Sequence, residues 1–341
     1  MRWRSFPVLA LGLLILAGCV SHVEIGDKVM GTTMKIEAVS RSLSNDDLNR
    51  AVLDAIETAK KVDRLMSTWR EDSEISRLNR AKPGEWVALS PETYEVLVMA
   101  VEVAKKTDGA FDVTVGPLVD LWGFGPKSPP VPTEVPSDEA IEAAKTVVGY
   151  THILIDATNR RAARDAEGVE VDLGGIAKGY AVDLAVKTLQ RHGIKNALVE
   201  IGGETAAIGL TEKHEPWLIG VRHPSRPMGH FLTTIELRDG AIATSGDYFN
   251  VYSIKGRLYS HIIDPAAGKP ITNNVCSVTV LAKECAPADA LATGLMVMGP
   301  EKGIELVESM PGVEAIIAWR TAKDTIETKA SRGARCYRLN P

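Results

Sequence analysis

Aromatic side chains are scarce in this chain, making up 5% of its 341 residues. Alanine, valine and glycine carry the apolar content instead, a balance that suits a mixed α and β globule. No polybasic tract occurs, and Asp plus Glu (44) exceed Lys plus Arg (39), which argues against nucleic acid as a partner. Neither a Cys-x-x-Cys nor a His-x-x-x-His spacing is present, so a structural zinc site is not expected. The P-loop and the Gly-x-Gly-x-x-Gly fingerprint are missing too, and no segment repeats. No apolar run is long enough to form a permanent membrane span, the longest candidate being Val8 to Leu16.

That short run has a different reading. Arg2 and Arg4 precede it, and Leu16-Ala17-Gly18-Cys19 follows it as a lipobox. Residues 1–18 are therefore expected to be a signal peptide, cleaved before a lipidated Cys19. The mature chain is expected to be anchored by lipid to a bacterial membrane and to face the periplasm. Val20 lacks the acidic signal associated with inner-membrane retention. Removing residues 1–18 takes away two charges, Arg2 and Arg4, and moves the formal net charge from -5 to -7. Residues 19–341 read as a single unit, or as two subdomains around a central cleft. Cys276, Cys285 and Cys336 remain beyond the lipobox; an odd number cannot pair completely, and spacing does not reveal a pairing.

Periodicity predicts an α/β (α+β) protein of mixed strands and helices. A strand is expected over 29–39. Ser44 caps a helix with Leu48, Val52, Ile56, Ala59, Val62 and Met66 on one face. Ser90, followed by Pro91, caps a second that ends at Gly109, and Ser137 a short third. The proline- and glycine-rich stretch 123–137 reads as a surface excursion. Strands are expected at 152–156, 168–173, 197–201, 217–221, 233–237, 241–243, 259–263 and 278–282. Helices are expected over 176–190 and 287–298, and Asp239-Gly240 as a hairpin turn.

Several segments carry chemistry. Asp289 and Thr293 stand four apart in the alanine-rich run 285–294, so a helix would present a carboxylate and a hydroxyl on one face. Both are hard oxygen donors of the kind Mg²⁺ or Ca²⁺ prefers. Val171 to Tyr180 joins an expected strand to a helix through Gly174-Gly175, with Asp172 before it and Lys178 on the first turn. Such a junction lets backbone approach an anion and adds a point charge suited to phosphate. Asp112 beside Phe111, the pair Glu200 and Glu204 around a glycine pair, and His261 with Asp264 near Asp247 are further polar segments. Each also fits ordinary turn chemistry.

Taken in order, these blocks resemble the ApbE family of FAD:protein FMN transferases. The resemblance rests on Met30-Gly-Thr-Thr33, Met66-Ser-Thr-Trp69 with Ser73-Glu-Ile-Ser76, Gly109-Ala-Phe-Asp112 with Thr114-Val-Gly-Pro117, and Leu121-Trp-Gly-Phe-Gly125. It continues through Asp172 to Tyr180, Ser260-His-Ile-Ile-Asp-Pro265 and Asp289-Ala-Leu-Ala-Thr293. Two positions depart from the pattern: Ala266-Ala267 where Arg-Thr is frequent, and Asp120 where Asn is common.

The resemblance implies a T-fold-like core with an FAD cleft, and Mg²⁺-dependent transfer of FMN from FAD to a Ser or Thr of a partner, releasing AMP. It places Asp289, Thr293 and the Gly175 carbonyl on the metal. Met30, Trp69, Ala110, Phe111, Asp112, Asp172, Lys178 and Ile263 would hold FAD, and His261 would serve catalysis, with Asp264 or Asp247 as candidates to orient it. Expected acceptors are flavin-accepting subunits of membrane redox complexes, modified at Ser or Thr. Two rivals stand beside this reading: an FAD pyrophosphatase yielding free FMN and AMP, and a non-catalytic flavin-binding lipoprotein.

Overall fold

The structure, a computed structural model, describes residues 20–128, 132–226, 229–248, 250–322 and 325–334. Cys19, the leader before it and Cys336 lie outside the described residues. The chain opens as a hairpin, β1 (Ser21–Val29) and β2 (Thr32–Ser40), instead of the single strand expected over 29–39. Met30 and Gly31 make the turn with φ of 51° and 73°. Two consecutive positive φ values match the twist of a two-residue hairpin, usually built from Asn and Gly. Methionine in that conformation costs about 1–2 kcal/mol and hides the turn from a pattern reading.

α1 (Asn45–Met66) starts where expected, with the Ser44 hydroxyl accepting from Asp47 N–H, and buries Leu48, Val52, Ile56, Ala59 and Val62 along one stripe. α2 (Glu74–Arg80) and the short β3 (Val87–Ala88) follow. α3 (Pro91–Lys106) bears out the Ser90 cap and the Pro91 start. α4 (Gly116–Leu121) was not anticipated, whereas α5 (Asp138–Lys145) begins at its Ser137 cap. β4 (Ile153–Asp156) and β5 (Arg161–Arg164) precede α6 (Ala177–Arg191).

The expected strand at 168–173 is not one. It makes one isolated parallel bridge, Glu170 with Val115, and at Val171 the Asn79 side chain donates to the carbonyl and accepts from the N–H, both at 2.8 Å, where a neighbouring strand would otherwise bond. Beyond α6 come β6 (Asn196–Ile201), β7 (Glu204–Ile208), β8 (Trp217–Arg222), β9 (Phe231–Leu237) and β10 (Gly240–Gly246). β11 (Val251–Ile254) and β12 (Arg257–Ser260) form a separate hairpin. The strand expected over 259–263 is interrupted at His261-Ile262 before β13 (Ile263–Asp264), which pairs with β14 (Lys269–Pro270). β15 (Val275–Ala282), α7 (Cys285–Met298), α8 (Pro300–Glu308), β16 (Glu314–Arg320) and β17 (Ile326–Ala330) complete the chain.

An eight-stranded antiparallel sheet runs β1-β2-β6-β7-β10-β15-β16-β17. Alternation along its central strands sends side chains to two faces. Ala241 and Ala243 of β10, Val278 and Val280 of β15, and Ala315 and Ile317 of β16 join the larger core under α1, α6 and α7. Ile242, Leu281 and Ile316 point the other way, against Trp217, Val221 and Ile235 of the β8–β9 hairpin. Both faces of β15 are covered, and even its polar Ser277 and Thr279 are buried. Cys276 of β15 and Cys285 of α7 are buried free thiols.

Candidate active site

A cavity of about 490 Å³ opens where α6 begins. The β1–β2 turn brings Met30 to it, the segment after α3 brings Ala110, Phe111 and Asp112, and the α6 approach brings Asp172, Gly175 and Lys178. His261 and Ile263 enter from the interrupted strand, and Asp289 and Thr293 from α7. These positions run from Met30 to Thr293 along the chain, so only the fold assembles them. Trp69 is not brought in; it sits in the turn after α1 and is 71% exposed.

Asp289 and Thr293 do share one face of α7. A Cβ at position 175 would come within 3.1 Å of the Phe111 ring and 3.5 Å of Thr293 Oγ1, so the Gly175 backbone lies directly beside that hydroxyl. Thr293 Oγ1 and Ser245 Oγ are 3.1 Å apart and share a hydrogen bond. Asp289, 2% exposed, accepts at Oδ2 from Gly179 N–H at 3.0 Å.

Lys178 Nζ lies 3.4 Å from both Asp289 carboxylate oxygens and 3.2 Å from Glu204 Oε1. Burial works against its ammonium, but the carboxylates of Asp289 and Glu204 outweigh it and raise its pKa above that of an ordinary lysine. The point charge expected for phosphate is thus present and shared by two buried acids. Glu204 was flagged in sequence only as one of two acids around a glycine pair. The structure separates them: Glu200 Oε1 accepts from Gly203 N–H at 3.0 Å and closes the turn, while Glu204 lines the cavity. Burial pushes the Glu204 carboxyl pKa up, opposed by Lys178 and reinforced by Asp289.

Asp112 is a turn-former at the cavity wall. It accepts from Thr114 N–H at 2.8 Å, from the Thr114 hydroxyl at 2.6 Å and from Tyr150 N–H at 2.7 Å, and burial still raises its pKa. Asp172 accepts from Gly174 N–H at 2.8 Å, and burial raises its pKa as well.

His261 carries a buried Nδ1 without a hydrogen-bond partner, and its ring meets Phe124 edge-on at 6.4 Å. Burial, then the nearby Lys178 charge, lowers its pKa to about 4, so the imidazole is neutral at neutral pH. Neither expected orienting acid serves it. Asp247 is ion-paired with Arg320, and Asp264 accepts from Ala266 and Ala267 N–H groups at 2.9 and 3.1 Å.

Residues 30–317 match the ApbE family. The chain belongs to that family. An FAD:protein FMN transferase of Vibrio cholerae is 43% identical over 310 residues, covering 90% of this chain and 91% of that protein. One of Klebsiella pneumoniae is 36% identical over 320 residues, covering 90% of each. The solved flavin transferase ApbE from Vibrio cholerae superimposes with a TM-score of 0.82 at 39% identity, covering 94% of this chain and all of that one. The ApbE protein of Thermotoga maritima gives the same TM-score at 35% identity. Every ApbE block named from the sequence except the one containing Trp69 places a residue in the cavity or in an element that walls it.

Proposed function

We propose that this ApbE protein transfers the FMN moiety of FAD to a Ser or Thr hydroxyl of a partner protein, with Mg²⁺, and releases AMP. The observation that carries the reading is the convergence of Asp289, Thr293, Gly175, Lys178 and His261 in one cavity. A carboxylate, a hydroxyl and a backbone carbonyl form a hard-oxygen set that fits Mg²⁺. Among the described residues no three His, Cys, Asp or Glu side chains cluster as a metal site. Bound there, Mg²⁺ supplies charge neutralisation to the diphosphate.

The chain's own groups do the rest. Lys178 adds positive potential beside the diphosphate. Met30 and Phe111 give apolar cover to the flavin ring. His261, neutral and with a free ring nitrogen, accepts the proton of the acceptor hydroxyl. The hydroxyl oxygen bonds to the flavin-side phosphorus as the bond to the bridging oxygen breaks, and that oxygen leaves with AMP.

We further propose that Cys19 carries the lipid anchor and that the protein faces the periplasm, where it meets exposed Ser or Thr residues of membrane redox subunits. The lipobox supports this. Incubating the protein with FAD, Mg²⁺ and such a subunit, followed by mass spectrometry, tests the activity. An FMN-sized mass gain with one AMP per transfer is expected. Free FMN without acceptor modification would instead identify a pyrophosphatase, and retained FAD without AMP a flavin carrier.

A further inference from the structure

We propose that Glu204 is a positioning residue: it retains Lys178 in the cavity when a divalent cation takes Asp289. The inference rests on the metal assignment of the preceding reading. Glu204 is 3% exposed, and its Oε2 is buried without any hydrogen-bond partner. Leaving a carboxylate oxygen unsatisfied is costly, so an orphan of this kind points to a second arrangement in which it is used.

The geometry supplies that arrangement. Lys178 Nζ is held at 3.4 Å by Asp289 and at 3.2 Å by Glu204 Oε1. Asp289 is itself fixed to the start of α6 through Gly179 N–H. A dication on Asp289 would face an ammonium at near-contact distance, and the two repel. Glu204 is the first residue of β7 and pairs with Ile201 inside the main sheet, so its backbone has little freedom to move. The flexible four-carbon stem of Lys178 is the part that moves. It releases Asp289 and takes up the vacant Glu204 Oε2, keeping its charge at the cavity for the diphosphate.

Opposite signs at the two positions distinguish this role from packing. Mn²⁺, titrated into the full protein and followed by electron paramagnetic resonance, reports metal affinity without turnover. Glu204→Gln leaves Lys178 to compete for Asp289 alone and is expected to weaken Mn²⁺ binding about tenfold. Lys178→Met removes the competitor and is expected to tighten it. In the Lys178→Met background, Glu204→Gln should lose most of its effect. Glu204→Asp keeps the charge and should stay within about threefold of wild type, showing that charge and not volume is read. Unchanged affinity in Glu204→Gln, weaker binding in Lys178→Met, or an undiminished loss in the double variant each overturns the proposal. Wild-type Mn²⁺ binding indistinguishable from that of Asp289→Asn overturns the metal assignment beneath it.

Discussion

Asp183 and Asp289 do the same structural job where the N-terminal turns of α6 and α7 pack together. Neither α6 nor α7 has a side-chain bond from its own N-cap residue. Each is capped by the other: Asp183 of α6 accepts from Cys285 and Ala286 N–H at 2.7 and 2.8 Å, and Asp289 of α7 accepts from Gly179 N–H at 3.0 Å. Among the described residues Asp183 forms no ion pair, whereas Asp289 pairs with Lys178 and opens on the cavity. A buried helix-capping acid becomes a site residue only when its remaining lone pairs face a cation and an open volume. Chemistry alone does not separate the two.

Breaking both caps at once should give the largest effect. A Cβ on residue 179 would sit 2.4 Å from Cys285 O and 2.8 Å from Ala286 Cα, both backbone atoms. Gly179→Ala must push α6 and α7 apart and should cost about 3–4 kcal/mol in urea unfolding. The next two changes pull the comparison apart. Asp289→Asn should slow Mg²⁺-dependent AMP release by about 100-fold while shifting stability by no more than about 1 kcal/mol. Asp183→Ala should do the reverse, costing about 2 kcal/mol of stability by stranding two N–H groups, with FAD binding within about twofold of wild type.

The pH dependence sharpens the contrast further. Burial raises the Asp183 pKa to about 6 from an ordinary 3.8. Its protonated form is therefore the one the fold prefers: the stabilisation is complete below pH 4 and is lost as pH rises through about 6. The stability gap between wild type and Asp183→Ala should narrow by about 2 kcal/mol over that window, read from urea curves at pH 4 and pH 7. The smallest effect belongs to His261, already neutral above a pKa of about 4. Single-turnover transfer should change less than about twofold between pH 6 and 8 from this group; a half-rate point near 6.5 would contradict its buried setting.

Much of this was legible in the chain. The caps at Ser44, Ser90 and Ser137 mark α1, α3 and α5 because they satisfy helix N–H groups within three residues, a local rule. The four-residue spacing of Asp289 and Thr293 likewise survives folding intact. What escaped was non-local or disguised. Met30 stands in a turn conformation its side chain does not advertise, and Asn79 takes both backbone bonds of Val171 from 92 residues away. Glu200 and Glu204 look equivalent in a line, yet the two-residue turn between β6 and β7 keeps one at the turn and buries the other. Trp69 belongs to a matching block and still lies outside the cavity.

The residue order thus determined α1, α3, α5, α6 and α7, a share of the strands, the family and the donor types, because propensity, capping and spacing act over a few positions. Only the packed sheet decided that Lys178 stands between Asp289 and Glu204, that His261 is neutral, and that Asp183 is structural. Those properties depend on burial and on charges brought together from distant parts of the chain, and neither exists until the core has formed.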